Sequence, residues 1–128
     1  MNEIIIARFK SYQHLLVENA SVSEFNITRQ YITTDDGNIR IRATVIDGGL
    51  LEIAEYVALN DNHQIVEHSY TFHWQNAQNQ LIQRWDNTDH FPKLPFAPHH
   101  IHRSDRTIEG NPELPTLSIV LSEIEQLL

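Results

Sequence analysis

Tight-turn signals divide the middle of this chain into short β-prone segments. Asp36-Gly37 and Gly48-Gly49 are dipeptides typical of two-residue hairpin loops, and the Asn-Asp-Asn-His stretch at residues 60–63 is a third polar turn. Between the turns, branched and aromatic residues dominate. Because every connection is short, the segments predict an antiparallel meander of about five strands. The predicted strands cover residues 25–32, 39–45, 50–59, 65–74 and 81–86.

Apolar stripes at helical spacing lie on both sides of this meander. The first recurs every three or four positions and predicts a helix over residues 2–18. The second follows Thr116, which we expect to cap a closing helix. The sequence therefore predicts an α+β fold: an N-terminal helix, the meander, an irregular segment rich in histidine and proline, and a C-terminal helix. The first stripe consists of Ile5, Phe9, Tyr12 and Leu16.

The composition is that of an ordinary globular domain with a negative charge. The formal net charge of −8 disfavours nonspecific binding to nucleic acid. Residues 84–106 are the least acidic part, so an anionic ligand would prefer this segment. The absence of cysteine excludes disulfides and thiolate metal sites. No apolar run is long enough to span a membrane, and the first ten residues lack a signal-peptide pattern, so we expect a single cytoplasmic domain, residues 1–128.

Four of the eight histidines fall within residues 90–102, among three prolines. The prolines restrict the backbone, and Pro98 directly precedes His99 and His100. Histidine titrates close to neutral pH, so such a segment can transfer protons, bind a metal or hold an anion. The alternative is that the histidines are incidental or only structural. The four are His90, His99, His100 and His102.

Counting across the predicted turns gives a polar row on the sheet. If each turn is centred on the residues named above, Tyr31, Arg42, Glu55 and His68 lie opposite one another on successive strands. Glu55 shares its face with apolar residues, so its carboxylate needs a partner. An Arg42–Glu55 ion pair satisfies this need structurally. The functional alternative is a general base beside an arginine and a histidine, which are the groups that metal-independent RNA cleavage requires.

The stretch from residue 70 to residue 102 resembles the signature of the TumE family of toxin–antitoxin toxins. The resemblance covers roughly residues 37–128, whereas residues 19–36 have no match. Phe91 stands where the family often has another histidine. The motifs that carry the resemblance are His73 to Gln75, Arg84 to Asn87, His90 with Pro92, and Pro98 to His102.

The resemblance implies a small RNA-cleaving toxin that a cognate helix-turn-helix antitoxin holds in check. It implies no cofactor. The site residues that it implies are Arg84, Asp86, His90, His99, His100 and His102, with Glu55 and His73 as weaker candidates.

Two other functions stay open at this point. His100 and His102, in His-x-His spacing, point the same way from an extended chain, and Asp86, Asp89 or His90 would complete a zinc, manganese or nickel site. Such a site would make the protein a metal-dependent hydrolase. The other alternative is a non-catalytic interaction protein, and a homodimer is compatible with each function.

Overall fold

The structure, a computed structural model, describes residues 2–128 and contains two helices and seven strands. The strands form a single sheet in the order β1 to β7, with every neighbouring pair antiparallel. The predicted α+β meander is confirmed, and it has two more strands than expected. The elements are α1 (Glu3–Glu18), β1 (Val22–Ile32), β2 (Asp36–Val45), β3 (Leu50–Leu59), β4 (Ile65–Gln75), β5 (Leu81–Asp86), β6 (His100–Arg103), β7 (Ile108–Gly110) and α2 (Leu117–Leu127).

Both helices begin at a side-chain cap. The Asn2 side chain accepts from the backbone amides of Ile4 and Ile5, and Thr116 accepts from the amide of Ile119, as predicted. The predicted apolar stripe of α1 is buried. Among the residues that the structure describes, neither helix has the length and apolar character that crossing a bilayer requires.

One face of the sheet forms the core with the two helices. A row of core residues runs in register across five strands, from Ile41 through Ile53, Phe72 and Trp85 to Ile101. Since side chains alternate along a strand, the residues between these positions lie on the other surface, which we call the open face. The open-face residues used below are Arg29, Tyr31, Arg40, Arg42, Glu52, Ala54, Thr71, His73, Arg84, Asp86, His100 and His102.

The predicted polar row is wrong, because the strand register differs at every turn. Arg42 lies opposite Glu52, and its guanidinium is 3.3 Å from that carboxylate. Glu55 lies opposite Ile39 and Tyr70 on the buried face, so no Arg42–Glu55 pair forms. Tyr31 pairs with Asn38 instead. His68 falls at an irregularity in β4, where its ring stacks on Tyr56 at 5.5 Å.

The register differs because the loops are centred on other residues than the dipeptides suggested, or are longer. The first hairpin turns at residues 34–35, since the Thr33 amide donates to the Asp36 carbonyl. Several later hairpins contain a residue with positive φ at the end of the loop, a geometry typical of three-residue loops. Arg42 lies opposite Glu52 and not Glu55, a register shift of three residues. An odd shift moves a side chain to the other face, and this separates Glu55 from Arg42. The positive-φ residues are Gly48, His63, Asn79 and Arg106.

Candidate functional site

A row of three polar side chains crosses the centre of the open face. His73 on β4, Arg84 on β5 and His102 on β6 are direct cross-strand partners. Arg84 Nη1 lies 3.3 Å from His73 Nδ1, and because a guanidinium only donates, the imidazole nitrogen is the acceptor. Neighbouring strands are about 4.8 Å apart, so the two imidazoles flank the guanidinium at roughly 10 Å from each other.

The side chain of Asp86 holds the guanidinium of Arg84 in place. Its carboxylate is 2% exposed, and Oδ2 accepts from Arg84 Nε at 2.8 Å. Oδ1 accepts from both the amide and the hydroxyl of Thr88 at 3.1 Å. Burial alone would raise the pKa of Asp86, but the bonds from Arg84 and Thr88 and the nearby His100 bring that pKa below its ordinary value. The carboxylate is therefore ionised at neutral pH and fixes the plane of the guanidinium.

His100 is buried against the same carboxylate. Its Nδ1 donates to the Pro98 carbonyl at 2.8 Å, because a carbonyl can only accept. Its Nε2 is 2.7 Å from Asp86 Oδ1, but the contact is poorly directed and Nε2 has no aligned hydrogen-bond partner. His102 Nε2 is 3.5 Å from the other oxygen, Oδ2. The ligand atoms of Asp86, His100 and His102 lie within 4.8 Å of one another, so these three residues can hold a metal ion.

Burial lowers the pKa of both imidazoles of the central row. For His73, the charge of Arg84 adds to burial, while a hydrogen bond to Gln75 opposes them. For His102, Asp86 opposes burial, and the charges of His100 and Arg84 reinforce it. Both rings are therefore mainly neutral at pH 7, the form that accepts a proton.

The loop of residues 87–99 covers part of this cluster. Asn87 anchors its start, accepting from the Tyr70 amide at 3.0 Å. The Phe91 ring packs edge-on against His100 and His102, with centroids 5.0 and 5.8 Å away. The loop returns beside β7 so closely that a Cβ on Gly110 would lie 1.8 Å from a backbone oxygen of the loop. This cover explains why His100 and Asp86 are buried although they lie on the open face.

Of the ten predicted site residues, the structure brings five together on the open face and places the other five elsewhere. His99 points away from the cluster, and its Nδ1 is 2.9 Å from the Tyr70 hydroxyl, with the rings stacked. His90 is exposed at the edge of the loop, beside Phe91. Arg42, Glu55 and His68 are elsewhere on the sheet. The five that come together, here called the open-face cluster, are His73, Arg84, Asp86, His100 and His102.

Glu55 belongs to a second polar cluster on the core face. Arg8 donates to its two oxygens through Nε at 2.8 Å and Nη2 at 3.1 Å. The Tyr12 hydroxyl lies 2.8 and 2.7 Å from the same oxygens. Glu67 is 3.4 Å from Arg8 Nη2. These contacts fasten α1 to the sheet. The structural partner of Glu55 is therefore Arg8 and not the predicted Arg42.

Sequence reasoning missed Thr88 and Phe91 as parts of the site, and Arg8 as the partner of Glu55. Thr88 had a local signal, since an aspartate two residues before a threonine commonly accepts from its amide. Phe91 stood only as a departure from the family pattern. Arg8 had no sequence signal, because only the packing of α1 brings it to β3.

Comparison with known protein families extends the match beyond the segment that the sequence resemblance covered. The sequence model of a family described as Toxin TumE matches residues 12–128, which includes residues 19–36. No curated protein and no solved structure matches the chain.

Proposed function

Since this chain belongs to the TumE toxin family, we propose that it is a toxin that cleaves RNA at the open-face cluster without a metal ion. We also propose that a cognate helix-turn-helix antitoxin neutralises it. The observation that supports cleavage is the row of His73, Arg84 and His102, in which two imidazoles flank a guanidinium. Four of its five residues lie in the least acidic part of an acidic chain.

The row supplies the three groups that cleavage of an RNA phosphodiester requires. Arg84 binds the phosphate and stabilises the charge that grows on its non-bridging oxygens. One of His73 and His102 takes the proton of the 2′-hydroxyl, whose oxygen attacks phosphorus. The other acts in its protonated form, which is the minor form at pH 7, and donates a proton to the departing 5′-oxygen. The bond to the 5′-oxygen breaks, leaving a 2′,3′-cyclic phosphate and a free 5′-hydroxyl.

The test is cleavage of total RNA by the purified full chain in EDTA. We expect cleavage to continue and to leave cyclic phosphate ends. His73→Ala and His102→Ala should each lower the rate by about 10²- to 10⁴-fold, the usual contribution of a general acid or base. His14→Ala is the matched control, because His14 is exposed on α1. RNA that stays intact in EDTA but is cleaved after addition of a divalent metal would reject metal independence.

A metal-dependent hydrolase is the second candidate, and the position of His100 favours it. With Nδ1 donating to Pro98, a neutral His100 leaves Nε2 without a hydrogen 2.7 Å from Asp86 Oδ1, so two acceptors lie close together. A second proton on the ring or a bound cation removes this repulsion. A carbonyl bond to the far nitrogen is also the usual support of a metal-binding histidine.

Metal analysis of untagged protein distinguishes the two candidates. A stoichiometric zinc or manganese ion, lost in His100→Ala and retained in His99→Ala, supports the metal-dependent hydrolase. His99 is the matched control because it is adjacent in sequence but bonds to Tyr70 outside the cluster. Protein that contains no ion and cleaves RNA in EDTA supports the metal-independent toxin.

A further inference from the structure

We infer that the open face of β1 and β2 is a binding track for single-stranded RNA that leads into the open-face cluster. This inference rests on the proposed function, since it places the RNA that the cluster would cleave. The track consists of Arg29, Arg40 and Arg42, with Tyr31 at its edge. None of these residues belongs to the cluster itself.

The strand register connects the track to the cluster without a break. One row runs from His102 through Arg84, His73 and Glu52 to Arg42, and the next runs from Asp86 through Thr71 and Ala54 to Arg40 and Arg29. Arg84 and Arg42 are three strands apart, which is about 14 Å. Stacked nucleotides advance about 3.4 Å each, so this distance corresponds to about four nucleotides.

The sheet surface between the track and Arg84 is low along the second row. Ala54 and Thr71 occupy the second row, and both side chains are small. A polynucleotide backbone can therefore lie close to the sheet between β5 and β2. The helices pack on the other face and do not obstruct it.

Two of the three arginines of the track have no ion pair within the described residues. Arg29 and Arg40 are direct cross-strand partners, and like charges directly opposite each other destabilise a sheet. Within residues 2–128, neither has a carboxylate within ion-pair distance. Arg42 has only the solvent-exposed contact with Glu52, which an incoming phosphate can displace. An anion lying over β1 and β2 would relieve the repulsion. The backbone of an RNA strand supplies one negatively charged phosphate for each nucleotide.

An aromatic ring beside the arginines favours an unpaired strand over a duplex. Tyr31 is 41% exposed, and the Arg29 guanidinium lies 6.0 Å from its ring centroid. Exposed aromatic rings stack on unpaired bases whatever their identity, whereas the bases of a duplex are already stacked on each other. The track should therefore prefer single-stranded RNA and show little sequence preference.

Binding can be measured separately from cleavage by using 2′-O-methylated RNA, which lacks the attacking hydroxyl. Fluorescence anisotropy would follow a labelled single strand of about twenty nucleotides across a series of salt concentrations. We expect Arg29→Gln/Arg40→Gln to weaken binding about tenfold and to reduce the slope of log affinity against log salt by about 1.4, from two lost phosphate contacts. Lys10→Gln is the control for one lost charge, because Lys10 is exposed on α1.

Cleavage kinetics provide a second readout. The double variant should raise KM for a long RNA at unchanged kcat and should leave a dinucleotide, too short to reach β2, unaffected. Unchanged affinity in the double variant, or equal affinity for a blunt duplex, would overturn the track. The track would also be overturned if the double variant kept its affinity for RNA but lost its affinity for the antitoxin. If the wild-type chain binds RNA through these arginines but cleaves none, the proposed function fails and the track stands.

Discussion

Glu55 and Glu67 approach the same arginine, and the structure predicts opposite effects on stability when each is replaced by glutamine. Arg8 donates twice to Glu55 and reaches Glu67 only at 3.4 Å. Burial, then the charge of Glu55 and a hydrogen bond to it, raises the pKa of Glu67 to about 9, although Arg8 acts in the other direction. Glu67 therefore keeps its proton when the folded protein is at neutral pH.

The sign of the stability effect follows from this raised pKa. In the unfolded chain, Glu67 ionises near its ordinary pKa of 4.5, whereas in the folded chain it ionises near 9. Its contribution to stability is therefore fully present below pH 4.5 and is lost as the pH rises toward 9. At pH 8 the loss has an upper limit of about 5 kcal/mol, from 3.5 pH units at about 1.4 kcal/mol each. Because the side chain keeps 14% of its exposure, we expect a loss on the order of 2 kcal/mol.

Glu67→Gln removes that loss, since the amide stays neutral and can still donate to Glu55. Urea unfolding at pH 8 should give a free energy of unfolding about 2 kcal/mol higher than that of wild type. At pH 5 the difference should fall to a fraction of a kcal/mol. The assignment of a protonated Glu67 would be refuted if the stability difference between variant and wild type were the same at pH 5 and pH 8. It would also be refuted if the variant were less stable than wild type at pH 8.

Three further substitutions test the core-face cluster, the open-face cluster and the loop. Glu55→Gln should destabilise the fold by about 3 kcal/mol in urea unfolding, because its helix partners lose a charged acceptor, while cleavage per folded molecule stays unchanged. Asp86→Asn should lower single-turnover RNA cleavage roughly 10²-fold by releasing the arginine that it orients, and Asp89→Asn, an exposed change nearby, should not. Gly110→Ala should displace the loop at Pro95, since its Cβ would lie 1.8 Å from that carbonyl oxygen; hydrogen exchange over residues 87–99 should rise, and unchanged exchange would contradict the contact.

Hydrophobic periodicity was sufficient to predict the two helices and the five longer strands. It could not predict register, because loops that end in His63 or Asn79 adopt positive φ without the glycine that usually signals it. β6 and β7 were also missed. Each has at most four residues, and β6 directly follows the proline-rich loop, so neither carries a period long enough to detect.

The site residues also divide into those that local sequence could identify and those that only the pairing of strands brings into the site. The motif that includes Arg84, Asp86 and His102 could be found from local sequence, and these residues do come together. The place of His73 beside Arg84 could be found only from the pairing of β4 with β5. Conversely, His99 belongs to the same motif as His100, yet the irregular backbone after the loop sends the two rings to different surroundings.

Glu55 and Asp86 show why a buried carboxylate bonded to arginine does not by itself identify a site. Both are almost fully buried, and both accept from an arginine Nε at 2.8 Å. The partners of Glu55 come from α1, so its oxygens are occupied by the groups that fasten the helix to the sheet. Asp86 instead orients Arg84, whose side chain is 35% exposed on a face with no helix over it. Exposure does not separate the two arginines, since the Arg8 side chain is 32% exposed. The donors of Arg8 are directed at Glu55 and Glu67, whereas Arg84 lies between His73 and His102, two groups that can transfer protons. These neighbours are the physical reason for proposing the chemistry on the open face.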